Sequence, residues 1–191
     1  MINIKTLVLG GPYMTNCYIV SDDEDNAAVI DPASDTDRIL EASAGLKVEK
    51  ILITHGHSDH IGAAAELKDR TGAEIIANKK DAYRMHFDID VNAEEGMTVE
   101  CGSLRFTVIE TPGHTEGGVC YLCGDSLFSG DTLFSGSIGR TDLGGGNIYT
   151  LLKSLKKLAD LPYEDLTVYP GHMEPTTLLR ERTENPFLVR L

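Results

Sequence analysis

The stretch "ILITHGHSDHIGAAAELKDRTG", residues 51–72, begins as an apolar β-branched run. It then places His55, His57, Asp59 and His60 within six positions, using half of the six histidines in the chain. A β-branched run predicts a buried strand, and the apolar spacing after it predicts a helix ending at Gly72. The histidines therefore occupy a strand-to-helix loop, a place where rigid elements fix the directions of polar side chains. Residues two apart in extended chain point the same way, so His55 and His57 can grip one ion together. Asp59 and His60, where the chain turns into the helix, face another direction and could hold a second.

The other histidines follow the same rule. His114 lies in "FTVIETPGHTEGG" and His172 in "LTVYPGH", each after an apolar run and a Pro-Gly turn, while Asp131 closes "LFSGD". By this reading His114 completes the first site and His172 the second, with the two oxygens of Asp131 able to bridge them. Only His86, in "YRMHF", stands apart and reads as a surface or packing residue. Chance clustering of polar loop residues accounts for one His-x-His pair. It does not account for H-x-H-x-D-H joined by two more strand-end histidines and an aspartate. Imidazole and carboxylate donors without thiolate suit Zn²⁺ in open, hydrolytic sites, and iron and manganese accept the same donors.

Other strand-like runs are "INIKTLVL", "CYIVSD", "AAVIDPA" and "AEIIAN", with hairpins at "MTVECGSLRFTVIET" and "GVCYLCGDSLFSGD" and a final strand "LTVYPG". Helices are expected at "DTDRILEASAGL", capped by Asp35 or Thr36, at "KKDAYRMHF", and at "NIYTLLKSLKKLADL". Both halves run from hairpins into strand–helix units, which suits two face-to-face sheets with helices outside. The chain is expected to form one domain over residues 1–191. Its start reads as a strand rather than a signal peptide, and no run reaches the roughly 18 apolar residues of a membrane span. A cytoplasmic protein without membrane partners is the expectation. The net charge of -13 argues against nucleic acid, because phosphate binding needs a basic stripe. Of Cys17, Cys101, Cys120 and Cys123, three sit inside strand-like runs, where a cysteine is usually a small buried hydrophobe, and "CYLC" without a second pair is a weak redox or metal signal.

At "THGHSDHIGA", "TPGHTEGG", "FSGDTLF" and "YPGH" the sequence resembles the metallo-β-lactamase superfamily, and within it the glyoxalase II-like hydrolases. "VIDP" at 29–32 and "NPF" at 185–187 are similar to the flanks of that family. The resemblance implies an α+β fold, the αββα sandwich of two packed mixed β-sheets with helices on both outer faces. It also implies two divalent ions, one on His55, His57 and His114, the other on Asp59, His60 and His172, with Asp131 bridging. Asp59 and Asp131 act in it as ligands that orient a bridging hydroxide. The activity implied is hydrolysis of a small-molecule thioester such as S-lactoylglutathione by metal-bound hydroxide.

"GSIGRTDLGGGN", residues 136–147, resembles the small bacterial members. Longer glyoxalases carry Lys-Tyr where this chain has Arg140 and Thr141, and a C-terminal helical domain that helps hold glutathione. Arg140 is the expected contact for a substrate carboxylate, with pairing to Asp142 as the alternative. A mononuclear iron persulfide dioxygenase on His55, His114 and Asp131 is the second reading of the family. A lactonase is the third, and a non-catalytic metal-binding module the fourth. Native metal, acyl group, thiol and oligomeric state are not written in these residues.

Overall fold

The computed structural model describes residues 2–191. A first sheet comprises β1 (Asn3–Leu9), β2 (Thr15–Ser21), β3 (Asn26–Ile30), β4 (Lys47–Leu52), β5 (Glu74–Ala77) and β6 (Val91–Asn92), hydrogen-bonded in that order. Its first two pairings are antiparallel and the remaining three parallel. β7 (Thr98–Cys101), β8 (Leu104–Glu110), β9 (Val119–Cys123), β10 (Ser126–Gly130), β13 (Thr167–Pro170) and β14 (Thr176–Thr177) form a second sheet, ordered β14-β13-β10-β9-β8-β7. β10 and β13 pair in parallel within it. A two-stranded ribbon, β11 (Leu133–Phe134) and β12 (Ser137–Ile138), stands apart.

Continuous apolar runs arise because both faces of the central strands are covered. Along β2 and β3, Tyr18, Val20, Ala28 and Ile30 point to the cluster shared with Phe106, Val108, Tyr121 and Phe128 of the second sheet. The intervening Cys17, Ile19, Ala27 and Val29 point the other way, against Ile39 and Leu67. Those two residues belong to α1 (Thr36–Ala42) and α3 (Ala64–Thr71). On the far side of the second sheet, Cys120, Leu122 and Val168 pack on Leu151, Leu155 and Leu158 of α4 (Ile148–Ala159) and on Leu178 of α5 (Leu178–Glu184). The layers are thus helix, sheet, sheet, helix, and both sheets are mixed, as expected.

Some boundaries differ from the expectation. The helix read over residues 61–72 is two pieces, α2 (Ser58–Ile61) and α3, because the Ala63 amide donates to Pro32 O at 2.9 Å. "KKDAYRMHF" is a 3₁₀ turn over Lys79–Arg84, so His86 lies beyond its end and is exposed. The strand at 167–170 is not the last, since β14 and α5 follow it. The cysteines are free and buried, and burial pushes the Cys120 thiol up to about 11. Cys120 and Cys123 enter different clusters on opposite faces of β9, which removes "CYLC" as a pair. Among the described residues, no helix is long and apolar enough to cross a membrane.

Candidate metal centre

β8, β10 and β13 all run in one direction, since β9 is antiparallel to both β8 and β10. Their C-terminal ends deliver His114, Asp131 and His172 to one edge of the second sheet. β4 ends at the facing edge and delivers His55 and His57, and α2 begins there with Asp59 and His60. Two sheets packed face to face therefore bring seven polar side chains together from four loops.

The donor atoms of His55, His57 and His114 lie within 4.8 Å of one another, and so do those of Asp59, His60 and His172. Two donors about 2.1 Å from one tetrahedral ion sit about 3.4 Å apart. In the second triad, His60 Nε2 and His172 Nε2 are 3.4 Å apart, His172 Nε2 and Asp59 Oδ2 3.4 Å, and His60 Nε2 and Asp59 Oδ2 3.6 Å. In the first, His57 Nδ1 and His114 Nε2 are 2.9 Å apart. Asp131 touches both triads: its Oδ2 lies 3.4 Å from His114 Nε2 and 3.5 Å from His172 Nε2, and its Oδ1 lies 3.4 Å from His60 Nε2.

Hydrogen bonds behind the rings fix which nitrogen faces the centre. His114 Nδ1 donates to Arg140 O at 2.7 Å, and His60 Nδ1 donates to Asp31 Oδ2 at 2.9 Å. Thr54 Oγ1 gives its own proton to Asp31 Oδ2 at 2.6 Å and so accepts from His55 Nδ1 at 3.1 Å. In all three rings Nε2 is left as the lone-pair donor, the usual arrangement of metal-binding imidazoles. His55 Nε2, His57 Nε2 and Asp131 Oδ1 are buried without a hydrogen-bond partner. Buried polar atoms are rarely left unmatched, so such a group asks for a cation.

Charge follows position. Burial, then the neighbouring His60, holds His55 well below the usual histidine range. Burial and then His114 and Arg84 bring His57 down to about 4. Burial also opposes charge on His60 and His172, yet Asp131 and Asp31 raise the first well above its ordinary value, and hydrogen bonds to Asp131 and Asp59 lift the second to about 10. Asp131 is held well below the carboxylate range despite its burial, chiefly by His60 and His172. His55 and His57 are thus neutral and Asp131 ionised, the forms that bind metals, while His60 and His172 would release a proton when an ion binds.

Two supports were not read from the sequence. Asp31, seen only as part of "VIDP", anchors Thr54 and His60. Asp81, fully buried, accepts from the amides of Gly56 at 2.9 Å and Gly117 at 2.8 Å, tying the two histidine loops together. Gly171 is required by close approach: a Cβ there would lie 2.3 Å from Asp131 Oδ1 and 2.6 Å from His60 Cε1. Arg140 lines the same cleft, but its guanidinium is spent on Asp142 through two bonds of 2.7 Å. The pairing with Asp142 named as the alternative for Arg140 is thus formed, and the residue keeps its place in the cleft lining.

The metallo-beta-lactamase superfamily pattern, Lactamase_B, matches residues 10–172. A hydroxyacylglutathione hydrolase GloC of Haemophilus influenzae is 35% identical over 92% of this chain and 93% of its own length. Among solved structures, the BLEG-1 B3 metallo-beta-lactamase is similar with a TM-score of 0.89 at 32% identity, covering 98% of this chain and 99% of that one. ETHE1 from Myxococcus xanthus gives 0.88 at 34%, covering 96% and 83%. TTHA1623 in a di-iron-bound form gives 0.86 at 35%, covering 96% and 100%. Fold, donor arrangement and these likenesses agree that the chain belongs to the metallo-beta-lactamase superfamily.

Proposed function

We propose that the chain is a dinuclear metal-dependent hydrolase of acyl thioesters, with zinc as the metal and iron or manganese compatible with the same donors. One observation carries the reading: Asp131 Oδ2 stands 3.4 Å from a histidine of one triad and 3.5 Å from a histidine of the other. A carboxylate so placed would be within reach of an ion held by either triad. His55, His57 and His114 would hold the first ion, and Asp59, His60 and His172 the second. Bound there, divalent ions acidify water into a nucleophile and polarise a carbonyl.

This chain's own residues do the positioning. Asp31, through Thr54 and directly, keeps the Nε2 atoms of His55 and His60 aimed at the centre, and Arg140 O does the same for His114. Asp59 and Asp131, both held below the usual carboxylate range, would act as ligands. In the reaction a water oxygen forms a bond to the acyl carbon and the carbon–sulfur bond breaks. The electron pair leaves on sulfur, which ends as thiol, and the acyl group ends as carboxylic acid. The likeness to a hydroxyacylglutathione hydrolase supports the thioester class.

The competing outcome is a mononuclear iron dioxygenase on His55, His114 and Asp131, and oxygen separates the two. Protein purified without added metal, analysed for metal and then loaded with zinc, should hold about two ions per chain. It should release thiol from an acyl thioester under argon as fast as in air. Saturation at one ion, with oxygen-dependent turnover of glutathione persulfide and no thioester hydrolysis, would overturn the proposal.

A further inference from the structure

The cleft above the donor triads has a volume of about 650 Å³, within the usual range for small-molecule sites. Its floor is His57, Asp59, His114, Asp131 and His172, and its walls are of another kind. Tyr13, Phe134, Ile138, Leu143 and Met173 surround the mouth. Tyr13 is 66% exposed, Met173 56% and Leu143 41%. Large apolar side chains gathered at the mouth of a polar site mark a surface that meets something apolar. Phe134 reaches the floor, its ring centre 6.2 Å from that of His172.

Outside its floor, the cleft is poor in positive charge. Among its lining residues only Arg140 carries a permanent positive charge, and Asp142 pairs with it along one guanidinium edge, through Nε and Nη2. Arg84, nearby beneath the glycine-rich loop, lies 4.7 Å over the Tyr83 ring and donates to Gly144 O. An incoming carboxylate would share that guanidinium with Asp142 or lie against apolar walls. Met173 adds a further mark. Its backbone is left-handed, with φ of 70°, and its carbonyl accepts from Asn16 Nδ2 at 2.8 Å. A non-glycine residue held that way is maintained by its surroundings, and here the result is an exposed, adaptable thioether at the rim.

We infer that the substrate reaches this centre on an uncharged apolar acyl arm seated against Tyr13, Phe134, Ile138, Leu143 and Met173, rather than through the carboxylates of glutathione. This rests on the hydrolase reading above and narrows its substrate class. The test uses the zinc-loaded protein and a series of N-acetylcysteamine thioesters from acetyl to octanoyl, with S-lactoylglutathione beside them. kcat/KM should climb about threefold to fourfold for each methylene that reaches the wall. Tyr13→Ser with Met173→Ser should flatten that slope, mainly through KM. Arg140→Ala should leave the ranking of charged and neutral thioesters as it was.

If S-lactoylglutathione is preferred to every neutral thioester, and Arg140→Ala abolishes the preference, the apolar-arm inference fails while the hydrolase survives. If no thioester is cleaved by protein holding two ions, the hydrolase reading fails. Binding then still reads the cleft: S-octyl-N-acetylcysteamine should bind at least as tightly as S-octylglutathione, and tighter binding of the glutathione compound would overturn the inference.

Discussion

Asp31 uses both of its carboxylate oxygens away from the centre. Oδ1 accepts from the Thr54 amide at 2.8 Å, and Oδ2 accepts from Thr54 Oγ1 and His60 Nδ1. Although it lies close enough to His55 and His60 to form a third donor group, it is a support and not a ligand. Its φ of 49° is left-handed, which asparagine tolerates, so Asp31→Asn keeps shape and backbone while removing one acceptor. Loss of such an outer partner costs about 10-fold to 100-fold in metal affinity. Zinc competition against a chromophoric chelator should show that loss with the fold intact, and an unchanged affinity would remove Asp31 from the centre. The candidate donors themselves were legible because each follows an apolar run or shares one short loop. Asp31 and Asp81 were not, since their partners lie 23 to 36 residues away and obey no local spacing. Arg140 illustrates the converse: its position put it in the cleft, and the fold of the loop sets Asp142 beside its guanidinium.

Among the elements, the strands were the most readable, because burial on both faces leaves unbroken runs such as β2 and β9. α5 was hidden by a buried acid. Glu181 is 1% exposed and takes bonds from the Gly136 amide, Thr176 Oγ1 and Asn185 Nδ2, so "LLRERTE" does not show a clean apolar stripe. The split between α2 and α3 also escaped, because the competing acceptor, Pro32 O, comes from a distant turn. α4 was easy to find, but its seat was not. Gly113, in the "TPGH" turn that presents His114, has φ of 136°, and a Cβ there would fall 2.3 Å from the Leu151 amide nitrogen. Gly113 O also accepts from the Asn147 amide at the start of that helix. Turn and helix are thus in backbone contact, which only glycine permits. Gly113→Ala should destabilise the protein by about 1–3 kcal/mol in a urea titration, as overpacking does. A smaller shift would show that α4 can slide away from the turn freely.

At the scale of the whole molecule, the centre requires two sheets held at a fixed offset, because each sheet edge supplies only part of the donors. Apolar burial between the sheets gives attraction without direction. Asp22 supplies a directed link. It follows β2 in the first sheet, accepts from the amides of Glu24 and Asn26, and takes bonds from Ser103 N at 2.8 Å and Ser103 Oγ at 3.1 Å in the β7–β8 turn of the second sheet. The Ser103 amide, with Asn26 next, holds its carboxyl well below the usual carboxylate range. The lowered folded value means that the stabilisation is complete above the unfolded value of about 3.9 and fades as pH falls through the folded one. Asp22→Asn keeps the side-chain shape but loses the ionised acceptor. The melting temperature of wild type should exceed that of Asp22→Asn by a constant margin from about pH 7 to pH 5. Below about pH 4 the two curves should draw together, because the unfolded Asp22 takes up a proton that the folded carboxylate still refuses. A margin that persists unchanged to pH 2, or none at pH 7, would show that the sheets keep their offset without this carboxylate.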